Sequence, residues 1–243
     1  MMTRSPQGIM ITGTDTGVGK TLVTAALARC LHERGNAVGV MKPVETGYPG
    51  DDPSQSDSAK LQVAAQTSDP IEVVSPYRFA APLAPRHAGE LEGRTISFDT
   101  IVEAYQRLAS GRDFILVEGV GGVMVPLGPG QDVRDLMVRL QLPVLVVGRV
   151  ALGGVNHARL TVEALSSVGM RIMALVLNQT RRPTKDTERE QERSTVQLLR
   201  GTLSLPVLDP LRFCGLDSND WERAVAITAA EPAITGLANL LAP

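Results

Sequence analysis

The sequence predicts a mostly parallel β-sheet that is covered by α-helices on both faces. Short apolar runs alternate along the chain with segments of helical spacing, and strands that are apolar on both faces indicate a sheet buried between two layers of helices. Of the 243 residues, 43% are hydrophobic and 21% are charged, so the chain can bury a large core. Because no linker rich in proline, glycine or serine divides it, we expect one domain over residues 1–243.

The first predicted elements surround a glycine-rich loop. The apolar run GIMIT at 8–12 predicts a strand that leads into this loop. Apolar residues at helical spacing between 22 and 31 predict a helix after it, with Gly35 as a plausible end. The run AVGVMK at 37–42 predicts a second strand, which is followed by a polar loop.

The later part of the chain repeats this alternation. Apolar runs predict strands at 114–119, 143–148, 172–178 and 205–210. Helical stretches are predicted at about 98–110, 156–168 and 187–200. Ligands of open parallel sheets bind beyond the carboxyl ends of the strands, so the polar residues that follow each strand are the candidate site residues.

The segment GTDTGVGKT at 13–21 ends like a phosphate-binding loop, with Gly19, Lys20 and Thr21 in the final positions. Five residues lie between Gly13 and Gly19, whereas the usual motif has four. Backbone N–H groups and the start of a helix would bind phosphate here, Lys20 would reach the β- and γ-phosphates, and Thr21 would offer a hydroxyl to Mg²⁺. A turn with a chance GKT is the alternative, but the strand–helix context favours the loop.

Three other polar residues follow strands or begin a helix. Lys42 ends the second predicted strand, where a lysine is usually only solvated but could stabilise an oxygen-rich transition state. Glu118 stands between FILV and GVGG, the position of a strand-end metal ligand. Asp57 lies where a polar loop turns into a helix, and from the residues alone it is a helix N-cap.

Composition argues against several classes of protein. The net charge of −2 disfavours nucleic acid as a partner. Cys30 and Cys214 are far apart and form no C-x-x-C motif, which disfavours a disulfide scaffold or a zinc ribbon. The most apolar stretch is broken by Arg149 and is too short to span a membrane, and the start shows no signal peptide. We therefore expect a cytoplasmic protein without nucleic-acid or membrane partners.

Four motifs follow one another along the chain: GTDTGVGKT, KPVETG, VEGVGG and LGGVNHA. Together they resemble the dethiobiotin synthetase family, from about Gly8 to about Pro210. The resemblance implies a P-loop NTPase-like fold. It also implies ATP-dependent carboxylation and ring closure of 7,8-diaminononanoate with CO₂ to dethiobiotin, through a carbamate and a carbamic–phosphoric anhydride.

The resemblance further implies a set of site residues. Lys42 and Lys20 would be catalytic, and Thr21, Asp57 and Glu118 would hold Mg²⁺, so Asp57 is open between a cap and a ligand. ATP would be bound by Thr16, Gly17, Val18, Gly19, Lys20, Thr21, Leu22, Asp57, Glu118, Gly119, Val120, Gly121, Asn178, Leu205, Pro206 and Val207. Substrate would be bound by Lys42, Thr46, Leu152, Gly153 and Asn156, at the interface of a homodimer. From the residues alone, Asn156 is an ordinary N-cap.

Two other P-loop classes fit less well. Switch proteins related to partitioning ATPases often carry an additional lysine early in the loop, where this chain has Gly13, Thr14 and Asp15. They also often have a basic amphipathic carboxyl-terminal helix, whereas AITGLANLLAP has no positive charge. Amidotransferase synthetases of corrinoid assembly usually carry a glutaminase domain, for which this chain has no room.

Overall fold

The protein is described by a computed structural model over residues 7–215 and 220–241. Its first half contains β1 (Gln7–Gly13), α1 (Lys20–Glu33), β2 (Val38–Met41), β3 (Val44–Thr46), a 3₁₀ turn (Pro53–Gln55), α2 (Asp57–Ala65), α3 (Ile71–Val74), β4 (Tyr77–Phe79), α4 (Pro85–Leu91) and α5 (Phe98–Ala109). Its second half contains β5 (Phe114–Gly122), β6 (Pro126–Gly128), β7 (Gln131–Asp132), α6 (Val133–Leu140), β8 (Val144–Arg149), α7 (Gly154–Ser166), β9 (Ile172–Asn178), α8 (Asp186–Thr202), α9 (Trp221–Ala229) and α10 (Pro232–Leu241).

The central sheet has five parallel strands in the order β2-β5-β1-β8-β9. The strand β5 therefore lies between β1 and β2, and it is aligned so that Ile11 of β1 stands beside Glu118. Because all five strands point the same way, their carboxyl ends meet at one edge of the sheet. The predicted sheet covered by helices is confirmed.

Burial explains why the strands read as continuous apolar runs. In β5 the six residues from 114 to 119 are all buried, so both faces of this strand are covered. The helix α5 shows the complementary pattern, since Ile101, Ala104 and Leu108 are buried and lie three or four residues apart. The buried apolar residues form a hydrophobic cluster around the sheet.

The predicted strand at 205–210 is wrong. This segment touches the edge strand β9 only through isolated bridges, from Val207 to Leu175 and from Leu211 to Asn178. Pro206 and Pro210 lack the backbone N–H that a regular ladder needs, which explains why no strand forms.

Two predicted helix caps are also wrong. Ser56, not Asp57, caps α2, and its hydroxyl accepts a hydrogen bond from the backbone N–H of Ala59 at 3.1 Å. The helix α7 is preceded by Gly153 at φ 88°, so Asn156 lies inside its first turn. Glycine adopts this left-handed conformation without steric cost, whereas a capping residue with a side chain would be strained there.

Among the described helices, none is by itself long and apolar enough to cross a membrane, and only α9 and α10, joined by a bend of 68°, meet that test as a pair. The predicted absence of a leader rests partly on residues 1–6, which lie outside the described residues.

Candidate active site

The glycine loop joins β1 to α1, as its sequence context predicts. The helix begins at Lys20, directly after Gly19, which has a φ of 98°. A side chain at Gly19 would collide with the amide of Asn178, so the loop and the end of β9 are packed closely. The Asn178 Nδ2 donates to the backbone oxygen of Val18 at 3.0 Å, and the Lys20 Nζ donates to the backbone oxygen of Asp15 at 3.0 Å.

Beside this loop, Lys42 bridges two carboxylates. Its Nζ lies 2.5 Å from Oε1 of Glu118 and 2.9 Å from Oδ2 of Asp57. The hydroxyl of Thr21 donates to the same Glu118 oxygen at 2.9 Å. Because β5 separates β1 from β2, Glu118 stands between the two predicted lysines, Lys20 and Lys42. The structure thus brings these five residues together.

Burial and charge shift the pKa values of this cluster. Burial alone would lower the pKa of Lys42, but the charges of Glu118 and Asp57 outweigh it and raise that pKa above its usual range. Burial, together with the charge of Lys42, lowers the pKa of Lys20 to about 8. Burial opposes but does not prevent the lowering of the Asp57 pKa by Lys42. Complete burial raises the pKa of Glu118, although Lys42 partly offsets it.

The donor set at this edge fits a hard cation. Oε2 of Glu118 is buried and has no hydrogen-bond partner among the residues that the structure describes. A buried carboxylate oxygen without a partner is costly, and a divalent cation would satisfy it. Thr21 and Asp57 add a hydroxyl and a second carboxylate nearby. No group of three or more His, Cys, Asp or Glu residues gathers around a metal site within the described ranges, so phosphate and water would have to complete the coordination.

These residues open onto a cavity of about 750 Å³. Its walls include twelve of the predicted site residues: Thr16, Gly17, Gly19, Lys20, Thr21, Leu22, Lys42, Thr46, Asp57, Glu118, Val120 and Gly121. They also include residues outside the predicted site set: Glu45, Pro82, Leu83, Ala84, Pro85, Val125 and Trp221. The phosphate loop and the lysine-bridged carboxylates therefore share one cavity.

The remaining predicted residues lie elsewhere. Val18 and Gly119 are buried behind the loop and the strand end. Asn178 and the segment 205–207 lie along β9, where Val207 bridges Leu175. Leu152, Gly153 and Asn156 line a separate groove of about 980 Å³ between α7 and α8. A single chain thus does not bring these three predicted substrate-binding residues into the phosphate cavity.

Glu45 is a positioning residue that sequence reasoning missed. This buried carboxylate accepts hydrogen bonds from the backbone N–H of Asp57 at 2.6 Å and from the hydroxyl of Ser58 at 2.7 Å. It holds the start of α2, and thereby Asp57, against the end of β3. Its position between two motif residues in KPVETG does not indicate this role, which is evident only from its hydrogen bonds in the folded chain.

Comparisons with known proteins place the chain in a family. A family model described as an AAA domain matches residues 7–211. The ATP-dependent dethiobiotin synthetase BioD of Anaeromyxobacter sp. (strain Fw109-5) is 49% identical over 71% of this chain and 77% of its own length. The chain belongs to the dethiobiotin synthetase family. The synthetase of Bacillus subtilis subsp. natto is 37% identical over 83% of this chain and 85% of its own. The family resemblance of the four motifs is therefore confirmed.

Solved structures support the fold of this dethiobiotin synthetase family member. The MinC:MinD cell division protein complex of Aquifex aeolicus contains a chain that superposes with a TM-score of 0.61 at 17% identity, covering 97% of this chain and 95% of that one. At this identity the likeness shows the fold alone. The P-loop NTPase-like fold class is confirmed.

Proposed function

We propose that this enzyme carboxylates 7,8-diaminononanoate with CO₂ and closes the ring to dethiobiotin, converting ATP to ADP and phosphate. The observation that carries the proposal is the buried Lys42–Glu118 pair beside the phosphate loop. This pair supports a role for the Lys42 ammonium group in stabilising the phosphate and the substrate oxyanion, which would meet beside it. The relatives, which are ATP-dependent dethiobiotin synthetases, supply the reaction class.

The reaction has three steps. One amine of the substrate attacks CO₂ and loses a proton, which gives a carbamate. A carbamate oxygen then attacks the γ-phosphorus of ATP, and the bond to the β-phosphate oxygen breaks, which gives the anhydride and ADP. The second amine attacks the carbonyl carbon, phosphate leaves with the bridging oxygen, and the amine proton is released as the ring closes.

The two lysines suit charge stabilisation better than proton transfer. The carbamate is already anionic, so the phosphoryl transfer needs no base. The raised pKa of Lys42 keeps its ammonium group charged. Lys42 would orient the carbamate oxygen, and Lys20 would contact the β- and γ-phosphates, because phosphoryl transfer depends mainly on positioning and charge neutralisation. Thr46, on the same cavity wall, would contact the substrate.

We infer that Thr21, Asp57 and Glu118 hold Mg²⁺. The unpartnered Oε2 of Glu118 supports this assignment. Because Ser56 caps α2, the carboxylate of Asp57 is not used as a cap, and beside its ion pair with Lys42 it would serve as a ligand. When bound, the ion would neutralise charge on the β- and γ-phosphates.

ATP would occupy the loop through the residues that the resemblance implies. The backbone of 16–22 and of 118–121 would face the phosphates. Asn178 donates through Nδ2 to the loop, which leaves its Oδ1 to accept from the adenine amino group. The segment 205–207, next to β9, would pack on the base.

We also propose a homodimer with the substrate site at its interface. Leu152, Leu160 and Leu198 are 76%, 61% and 50% exposed along the α7–α8 groove. An apolar surface of this kind is typical of an interaction site. A second copy there would bring Leu152, Gly153 and Asn156 to the substrate. The protein would be a single-domain cytoplasmic enzyme with small-molecule substrates and no nucleic-acid or membrane partner, and the free thiols of Cys30 and Cys214 support a reducing compartment.

The proposal is tested by phosphate release from Mg-ATP, with bicarbonate and 7,8-diaminononanoate added separately and together. We expect rapid release only when both are present, with dethiobiotin formed in equal amount. Slow phosphate release at a rate that does not depend on the diamine would instead indicate a generic ATPase, and the proposed reaction would be wrong.

A further inference from the structure

Trp221 lines the active-site cavity but lies beyond the part of the chain that the family model matches. That match ends at residue 211, whereas Trp221 is the first residue of α9. It is the sole tryptophan of the chain. Its half-buried side chain shares the cavity wall with Thr21, Leu22 and Asp57.

A cation–π contact with Lys60 holds the indole in this position. The Nζ of Lys60 lies 5.4 Å from the centroid of the Trp221 ring, within the range of a cation–π interaction. Lys60 follows Asp57 by three residues on α2, so the two side chains lie on neighbouring positions of one helix face. Among residues 7–215 and 220–241, Lys60 forms no ion pair within 4.0 Å.

The rest of α9 anchors the indole to the phosphate loop. Ala224, Val225 and Thr228 are the buried face of this helix. The helix packs against α1, whose first residue is Lys20. The packing of α9 on α1 and the contact with Lys60 of α2 therefore hold one aromatic ring in the wall of the cavity.

We propose that Trp221 shields the phosphorylated intermediate from water, a role that rests on the proposed function. Water that reaches the carbamic–phosphoric anhydride attacks its phosphorus. A new P–O bond forms, the bond from phosphorus to the carbamate oxygen breaks, and carbamate, phosphate and a proton are released. ATP is then consumed without ring closure. An apolar ring in the wall excludes the attacking water while the second amine reacts.

The decisive measurement is the coupling ratio, the phosphate released per dethiobiotin formed by the full-length enzyme. We expect a ratio near one for the wild type, an increase of at least about threefold for Trp221→Ala, and a ratio close to wild type for Trp221→Phe, which keeps an aromatic ring. Ile227→Ala is the matched control, because Ile227 is 43% exposed on the same helix. An unchanged ratio in Trp221→Ala, or an equal rise in Ile227→Ala, would overturn the shielding role.

A second measurement needs no variant. Since the chain has one tryptophan, quenching of its fluorescence by acrylamide reports on this position alone. Addition of Mg-ADP and 7,8-diaminononanoate should reduce the quenching constant about twofold, because ligands would cover the exposed side of the ring. An unchanged quenching constant would contradict the proposal.

The two proposals fail in different ways. Wild-type enzyme that forms no dethiobiotin would overturn the proposed reaction itself. Normal product formation with an unchanged coupling ratio in Trp221→Ala would overturn only the shielding role.

Discussion

The phosphate cavity and the α7–α8 groove differ in whether their side chains find partners within the chain. In the cavity, Lys42 is 4% exposed and Glu118 is 0% exposed, and each has a charged partner. In the groove, Leu152 is 76% exposed and faces open space. Buried charges need partners within the chain, so the phosphate half must be preformed. In the proposed homodimer, a second copy of the chain would cover the exposed leucines and complete the other half of the site.

The largest effect should come from removing the cation of the preformed half. We expect Lys42→Ala to reduce kcat about a hundredfold or more, by analogy with the loss of one oxyanion-stabilising group. The measurement is the initial rate of dethiobiotin formation at saturating substrates. Lys185→Ala, at an exposed position before α8, should remain close to wild type. Near-normal turnover in Lys42→Ala would remove Lys42 from the mechanism.

Two glycines of the phosphate loop should differ in how much an added methyl group lowers the free energy of unfolding. Gly17 and Gly19 both have positive φ, at 73° and 98°. Only at Gly19 would the methyl group meet a neighbour, the amide of Asn178, whereas at Gly17 it would meet nothing within 4 Å. We expect Gly17→Ala to lower the free energy of unfolding by about 1 kcal/mol. Gly19→Ala should cost a further 1–3 kcal/mol or so from overpacking. Urea unfolding compares the two, and equal losses would contradict the packing of the loop on β9.

A smaller change should follow from neutralising Glu118. Glu118→Gln keeps the size of the side chain but removes the charge that would hold Mg²⁺. We expect the Mg²⁺ concentration for half-maximal activity to rise about tenfold or more, as is typical when a metal site is disturbed. Glu103→Gln, at an exposed position of α5, is the control. If both variants respond to Mg²⁺ like the wild type, Glu118 is not a metal ligand.

A substitution in the groove should have the smallest effect on the catalytic step and a clear effect on dimer formation. Leu160→Asp places a charge in the exposed apolar surface, and we expect the dimer to dissociate and the KM for 7,8-diaminononanoate to rise. Leu91→Asp provides a matched control, because Leu91 is 62% exposed on α4 and Leu160 is 61% exposed. Light scattering on a sizing column gives the mass of each variant. A monomeric wild type with full activity would remove the interface from the site.

The sequence predicted the buried elements well for a physical reason. A strand covered on both faces must be apolar throughout, so the run at 172–178 coincides with β9 (Ile172–Asn178). The strands β3 and β7 have three and two residues, too few to show any period, and they were missed. The run at 205–210 was apolar but contained two prolines, and apolarity alone could not show that the ladder would be interrupted.

Some site residues could be predicted from the sequence and others could not. Lys42, which follows β2, and Glu118, which lies within β5, could be placed together because neighbouring parallel strands share an edge. Glu45 and Trp221 could not, since neither occupies a defined motif position. Glu45 acts through buried hydrogen bonds, and Trp221 reaches the cavity only because α9 packs back onto α1. The residues alone suggested caps at Asn156 and at Asp57, which stayed open between a cap and a ligand, because a polar residue near a helix start does not reveal where the first turn begins.

The insertion of β5 between β1 and β2 also has a consequence for folding. Lys20 and Lys42 follow two strands that are consecutive along the chain yet not neighbours in the sheet. The strand that joins them begins only at residue 114, and it carries the carboxylate that stands between them. Such non-local pairing must close a long loop and is slow to form. During synthesis or refolding, the charge cluster therefore assembles only when β5 enters the sheet, and recovery of nucleotide binding would mark that moment.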